Sequence, residues 1–114
     1  MQIKIKRVYE NASEDDGYRL LVDRVWPRGV SKEDAELDEW NKQIAPTEKL
    51  RKWFDHDPNK FTEFAEKYRE EIKGKKEALK EIKKTAKSKT VTLLYGAKDT
   101  ENNQAVVLKK ILEE

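Results

Sequence analysis

Two arginines four residues apart, Arg24 and Arg28, bracket a tryptophan and a proline in the run Arg24-Val25-Trp26-Pro27-Arg28-Gly29. Guanidinium groups so placed suit fork-like recognition of carboxylate or phosphate oxygens. Lys32 extends the positive series, and a second polar cluster, Lys98, Asp99, Asn102 and Asn103, lies far along the chain. The one histidine, His56, stands between Asp55 and Asp57. Such an imidazole could be a general base oriented by a carboxylate or a single metal ligand, or it could simply cap a helix start. His56 and Asp99 are thus the candidates for a catalytic role. Arg24 and Arg28 have a bland reading too: ion pairs with Asp23 or Asp99 that tie loops down.

These residues need elements to position them. The apolar run Leu20-Leu21-Val22 predicts a central strand over 18–25, covered on both faces. Pro27 cannot donate to a ladder, so the strand should end near Trp26. Residues 90–95, rich in β-branched and apolar side chains, predict another strand. Loops 24–31 and 96–103 follow these two strands. In open α/β sheets, ligands lie outside the carboxyl ends of the strands. With parallel strands, both loops open on one edge and bring together Arg24, Trp26, Arg28, Lys32, Lys98, Asp99, Asn102 and Asn103. The start of the last helix, capped by Asp99 or Thr100, adds free N–H groups and the positive end of a dipole. The outline is that of an anion site.

Alternation of Ile3 and Ile5 with Lys4 and Lys6 predicts a first strand over 2–9. Ser31 is a plausible N-cap for a short helical turn over 32–36. Residues 36–46 fit helix or strand, with the balance toward extended structure. A short helix opening at Pro46 or Thr47 carries Leu50, Trp53 and Phe54. Asp57-Pro58 restarts a helix whose inner stripe is Phe61, Phe64, Ala65, Tyr68 and Ile72, with Gly74 at its C′ position. A lysine-rich helix over 76–87 and a final helix complete the chain. The pattern predicts one α/β domain over 1–114. It has three layers and a small, mostly parallel sheet of three to four strands flanked by helices, with the block 47–87 as a crossover.

Composition narrows the function classes. The chain has 114 residues, 42% of them charged, with a net charge of +2. Interspersed signs mark a solvated, ion-paired surface. The absence of cysteine excludes disulfides and thiolate chemistry and fits the cytoplasm. One histidine without cysteine makes no usual zinc site, so neither metal nor cofactor is expected. No signal-peptide core and no apolar run near the ~20 residues of a membrane span is present. The leading expectation is a cleft that binds a phosphate- or carboxylate-bearing small molecule and acts on it if it is an enzyme. One alternative is a nucleic-acid module using the lysine-rich helix and the tryptophans. Another is a partner-binding domain in which Trp40 and Trp53 form one exposed patch. The oligomeric state is left open.

The chain resembles the YeaO-like family of uncharacterised, mostly bacterial proteins, catalogued as a domain of unknown function. The resemblance rests on the run 17–32, on Trp40 with Ala45-Pro46, on Leu50-Arg51-Lys52-Trp53-Phe54-Asp55-His56-Asp57, on Phe64 with Tyr68, and on Thr92-Leu93-Leu94-Tyr95-Gly96-Ala97-Lys98-Asp99 followed by Asn102-Asn103-Gln104-Ala105. It supports the α/β reading and implies no established activity. In a broader related group the last loop tends to carry Cys-His-Arg. Here that region reads Asn102-Asn103-Gln104, so thiol or imidazole chemistry does not carry over. The family's motif residues that fall here are Arg24, Trp26, Arg28, Lys32, Arg51, His56, Tyr68, Asp99 and Asn103.

Overall fold

The computed structural model describes residues 2–114. Four parallel strands form one sheet: β1 (Ile3–Arg7), β2 (Tyr18–Leu21), β3 (Glu39–Trp40) and β4 (Val91–Tyr95), in the order β1-β4-β2-β3. The two inner strands, β2 and β4, are the ones whose apolar runs predict burial on both faces. All five residues of β4 are buried.

Alternation divides the core. Leu20, Val22, Val91, Leu93 and Tyr95 face one side and pack under the helices. These are α2 (Glu48–Phe54), α3 (Phe61–Ile72), α4 (Lys76–Ser88) and α5 (Gln104–Glu113). Leu21 and Leu94 face the other side, against Val8, Ala35, Trp26, Val30, Leu37 and Trp40. That second cover is thin: the loop after β2 and the single-turn helix α1 (Lys32–Ala35). The three layers are therefore unequal.

Local chemistry explains most element boundaries. Ser31 and Thr47 accept from the backbone N–H of Asp34 and Leu50, so they cap α1 and α2. Asp57 caps a 3-10 turn that starts with Pro58 and runs into α3. Phe64, Tyr68 and Ile72 recur at helical spacing and are buried. The Tyr68 hydroxyl donates to the Ile44 carbonyl, which anchors the 41–46 turn beneath α3. At Gly17, φ is +63° and a Cβ would sit 2.3 Å from the Thr90 carbonyl oxygen, so only glycine fits.

Several expected boundaries move. The β2 ladder ends at Leu21, although Val22 still donates to the Leu94 carbonyl. From Asp23 on, the chain leaves the sheet, earlier than Pro27 alone requires. Within 36–46 only Glu39 and Trp40 are strand; residues 42–45 turn back, with the Asn41 carboxamide accepting from Gln43 and Ile44. Gly74 does not adopt the left-handed C′ geometry expected of it. Instead α3 runs through a 3-10 turn, Lys73–Lys75, directly into α4. The cap of α5 is Asn103, not Asp99 or Thr100.

Candidate functional site

The carboxyl ends of β2 and β4 open into a cleft of about 300 Å³. One wall is the segment 23–28 after β2. The other is Gly96 and Ala97 with Asn102, Asn103 and Gln104 at the start of α5. Pro46, Phe54 and Phe64 supply apolar lining from the helix layer, and Arg51, His56 and Tyr9 complete it. Phe54 and Phe64 are stacked with ring centroids 4.3 Å apart, which makes that surface rigid as well as apolar.

Arg24 and Arg28 reach this cleft by different means. Arg24 donates from Nε to the Pro46 carbonyl at 2.8 Å and from Nη2 to those of Lys42 and Ala45 at 3.4 and 3.5 Å. It holds the 41–46 turn through carbonyls rather than acids. Arg28 is exposed, and among the described residues its side chain has no hydrogen-bond or ion-pair partner; its carbonyl accepts from the Tyr9 hydroxyl. Arg51, projecting from α2, is exposed and likewise unpaired among the described residues. Neither expected ion pair, to Asp23 or to Asp99, forms.

Asp23 is the acid of the cleft. Its Oδ2 accepts from the Gly96 N–H at 2.9 Å, and its Oδ1 accepts from the Gln104 side-chain amide. A Cβ on Gly96 would lie 2.9 Å from that Oδ2, so glycine permits the close approach. Burial pushes the Asp23 carboxyl up to about 6. The Gly96 and Gln104 donors, with attraction from His56 and Arg51, pull the other way but do not prevail.

The remaining predicted residues divide. Trp26 forms part of the wall, but its indole N–H is committed to the Val30 carbonyl at 2.7 Å and its ring meets Trp40 edge-on at 5.3 Å. Asn103 lines the cleft while capping α5, accepting from the Val106 N–H and donating to the Asp99 carbonyl. Asp99 itself turns back on its own loop, accepting from the N–H groups of Glu101 and Asn102 and from the Asn102 amide. Its carboxyl is held below the ordinary range by these donors, the Asn102 side chain foremost. Asp99, Lys98 and Lys32 do not line the cleft. Lys98 is exposed, and Lys32 borders a separate hollow with Leu37, Asp38 and Trp40, because α1 carries it to the thin face of the sheet. His56 lines the cleft from an exposed position with φ +55°, past the end of α2.

In the sequence Asp23 stands out only as a possible arginine partner, and Gln104 carries no signal of a role. The one signal for Asp23 was its position, directly after a both-face-apolar strand, where a carboxylate is unusual. The tryptophans do not form one patch. Trp40 packs on the thin face and Trp53 on the helix face. Each is approached by a lysine, with Lys42 Nζ 4.2 Å from the Trp40 ring and Lys67 Nζ 3.9 Å from that of Trp53. On α4, Glu77 and Glu81 interrupt the lysines and line another hollow with Glu39 and Tyr18. Among the described residues, no helix is long and apolar enough to cross a membrane.

A family model described as the inactive DUF488-N3 subclade matches residues 2–114. The chain belongs to this family. The uncharacterised protein YeaO of Escherichia coli strain K12 is 46% identical over 108 residues, spanning 95% of this chain and 94% of its own length. The uncharacterised protein Rv3073c of Mycobacterium tuberculosis strain H37Rv is 39% identical over 111 residues, covering 97% and 93%. No solved structure matches the chain. In the last loop Asn102 serves the Asp99 turn, Asn103 caps α5, and Gln104 holds Asp23.

Proposed function

We propose that this domain binds a small anionic molecule in the cleft at the carboxyl edge of its sheet, without turning it over. The observation that carries the reading is the set of guanidinium groups, Arg24, Arg28 and Arg51, lining one cleft, two of them unpaired among the described residues. The N-terminal end of α5 brings the positive end of its dipole to the same wall. A cleft of about 300 Å³ suits a small ligand rather than a polymer. Binding without turnover is supported by the subclade's description as inactive and by the loop amides that serve the fold. The cysteine-free composition is consistent with a cytoplasmic setting.

Calorimetric titration with glutarate and with inorganic phosphate at pH 6 tests the reading. Binding with a Kd of about 1 mM or tighter is expected. Arg28→Ala and Arg51→Ala should each weaken it by about tenfold or more, since a hydrogen bond to a charged group contributes about 1.5–3 kcal/mol. Absence of binding by either anion, or equal affinity in both variants, would defeat it.

A further inference from the structure

Resting on that reading, we infer that the ligand is a zwitterion: its anionic group meets Arg28 and Arg51 at the cleft mouth, and its cationic nitrogen meets Asp23 deeper within. The inference begins from an oddity of charge placement. A carboxylate stands in a cleft lined by three guanidinium groups and an imidazole, yet none of these pairs with it. Arg24 is turned away to the carbonyls of the 41–46 turn. Arg28 and Arg51 lie at exposed positions, whereas Asp23 is half-buried. The two sides of the charge pattern are thus separated in depth.

Asp23 is also only half-satisfied. An ionised carboxylate offers about four lone-pair sites. Gly96 N–H and the Gln104 amide occupy one on each oxygen. These two neutral donors fix the orientation of the group without neutralising it. A purely anionic ligand would have to approach an uncompensated negative charge at low dielectric, which is unfavourable. A ligand ending in a guanidinium or ammonium group would instead supply the missing cation and the missing donors together. The Gln104 amide oxygen is available beside Asp23 to accept a further N–H. Phe54, Phe64 and Pro46 provide an apolar lining for the methylenes or ring between the ligand's two ends. The groups that act electrostatically on Asp23 from the packed elements are His56, Arg51 and Tyr68, and none makes an ion pair with it.

Matched probes decide the matter. Glutarate and 4-guanidinobutyrate share a carboxylate and a short methylene chain, but only the second carries a cation. At pH 7.5 the unmodified protein should bind 4-guanidinobutyrate at least about tenfold more tightly than glutarate. Asp23→Asn, which keeps the size and an acceptor for Gly96, should erase or reverse that preference. An unchanged melting temperature or a higher one confirms that the variant is folded. Equal affinity of the two probes, or a preference that survives Asp23→Asn, overturns the inference and leaves the anion-binding reading standing. Failure of both probes at pH 6 as well as 7.5 overturns both.

Discussion

Two acids near the carboxyl and amino ends of β2 meet opposite fates. Asp16, just before β2, is buried beside Arg19 and Lys6, at 2.5 and 3.1 Å. It also accepts from the Ser13 N–H. Burial alone would raise its carboxyl, but the Ser13 N–H, Lys6 and Arg19 outweigh that and hold it below the ordinary range. Arg19 in turn donates to the carbonyls of Ala35 and Glu36, so the cluster ties the 3-10 turn Glu14–Asp16, the sheet and α1 into one unit. Asp23, at the other end of the strand, has neutral donors and no cation within ion-pair distance, and burial wins there. Both acids lie near arginines in sequence. What distinguishes them is whether the fold supplies the counter-charge. Where it does, the acid is structural; where it does not, the proposed ligand is what would complete it.

The largest effect that could break this contrast is on stability. Asp16→Asn leaves Arg19 buried without its carboxylate, and should cost about 3–5 kcal/mol in urea unfolding. Asp23→Asn should cost nothing or stabilise the protein at neutral pH, because it removes a desolvated charge. Comparable losses in the two variants would collapse the distinction.

An effect of intermediate size lies in pH dependence. The folded-state pKa of Asp23 is about 6, against an ordinary 3.8. The native state therefore holds a proton that the unfolded chain has released. Stability from this group is full below about pH 4, falls as pH rises to about 6 and is level above, a change on the order of 2–3 kcal/mol. Asp16 slopes the opposite way: its contribution is present above its unfolded pKa and is lost as acid protonates the folded state. Unfolding midpoints between pH 4 and 7 should decline in the native protein and stay flat in Asp23→Asn. A flat profile in the native protein would show that Asp23 titrates like an exposed carboxylate.

The smallest stability effect is expected from Arg28→Ala, within about 0.5 kcal/mol, since its side chain is exposed and unpaired. A larger loss in thermal unfolding would place Arg28 with Arg19 among the structural arginines.

The edge of the sheet that opens into the cleft was legible in the sequence because two apolar runs were each followed by a polar loop. Parallel order made those loops neighbours. The caps at Ser31 and Asp57 were legible because each had one good capping residue in the right place, whereas the opening of α2 lay between Pro46 and Thr47, and the Thr47 hydroxyl, accepting from the Leu50 N–H, decides it. The start of α5 was not. Asp99, Thr100, Asn102 and Asn103 are all competent caps by type, and only packing decides which one accepts from the helix. Asn103 takes the cap and Asp99 the turn before it. Lys32 and Lys98 were misplaced for a related reason. Their charge fits an anion site, but Lys32 borders the hollow beside α1, Lys98 is exposed, and neither lines the cleft. Asp23 was overlooked because its partners, Gly96 and Gln104, are 73 and 81 residues away in sequence.

The three amides of the last loop serve two ends at once. Replacing Asn103 would strip α5 of its side-chain cap, replacing Asn102 would remove one of three donors to Asp99, and replacing Gln104 would take a neutral donor from Asp23. Loss of an N-cap alone costs about 1 kcal/mol. Because all three amides also line the cleft, substitutions there couple the stability of the scaffold to the shape of its opening.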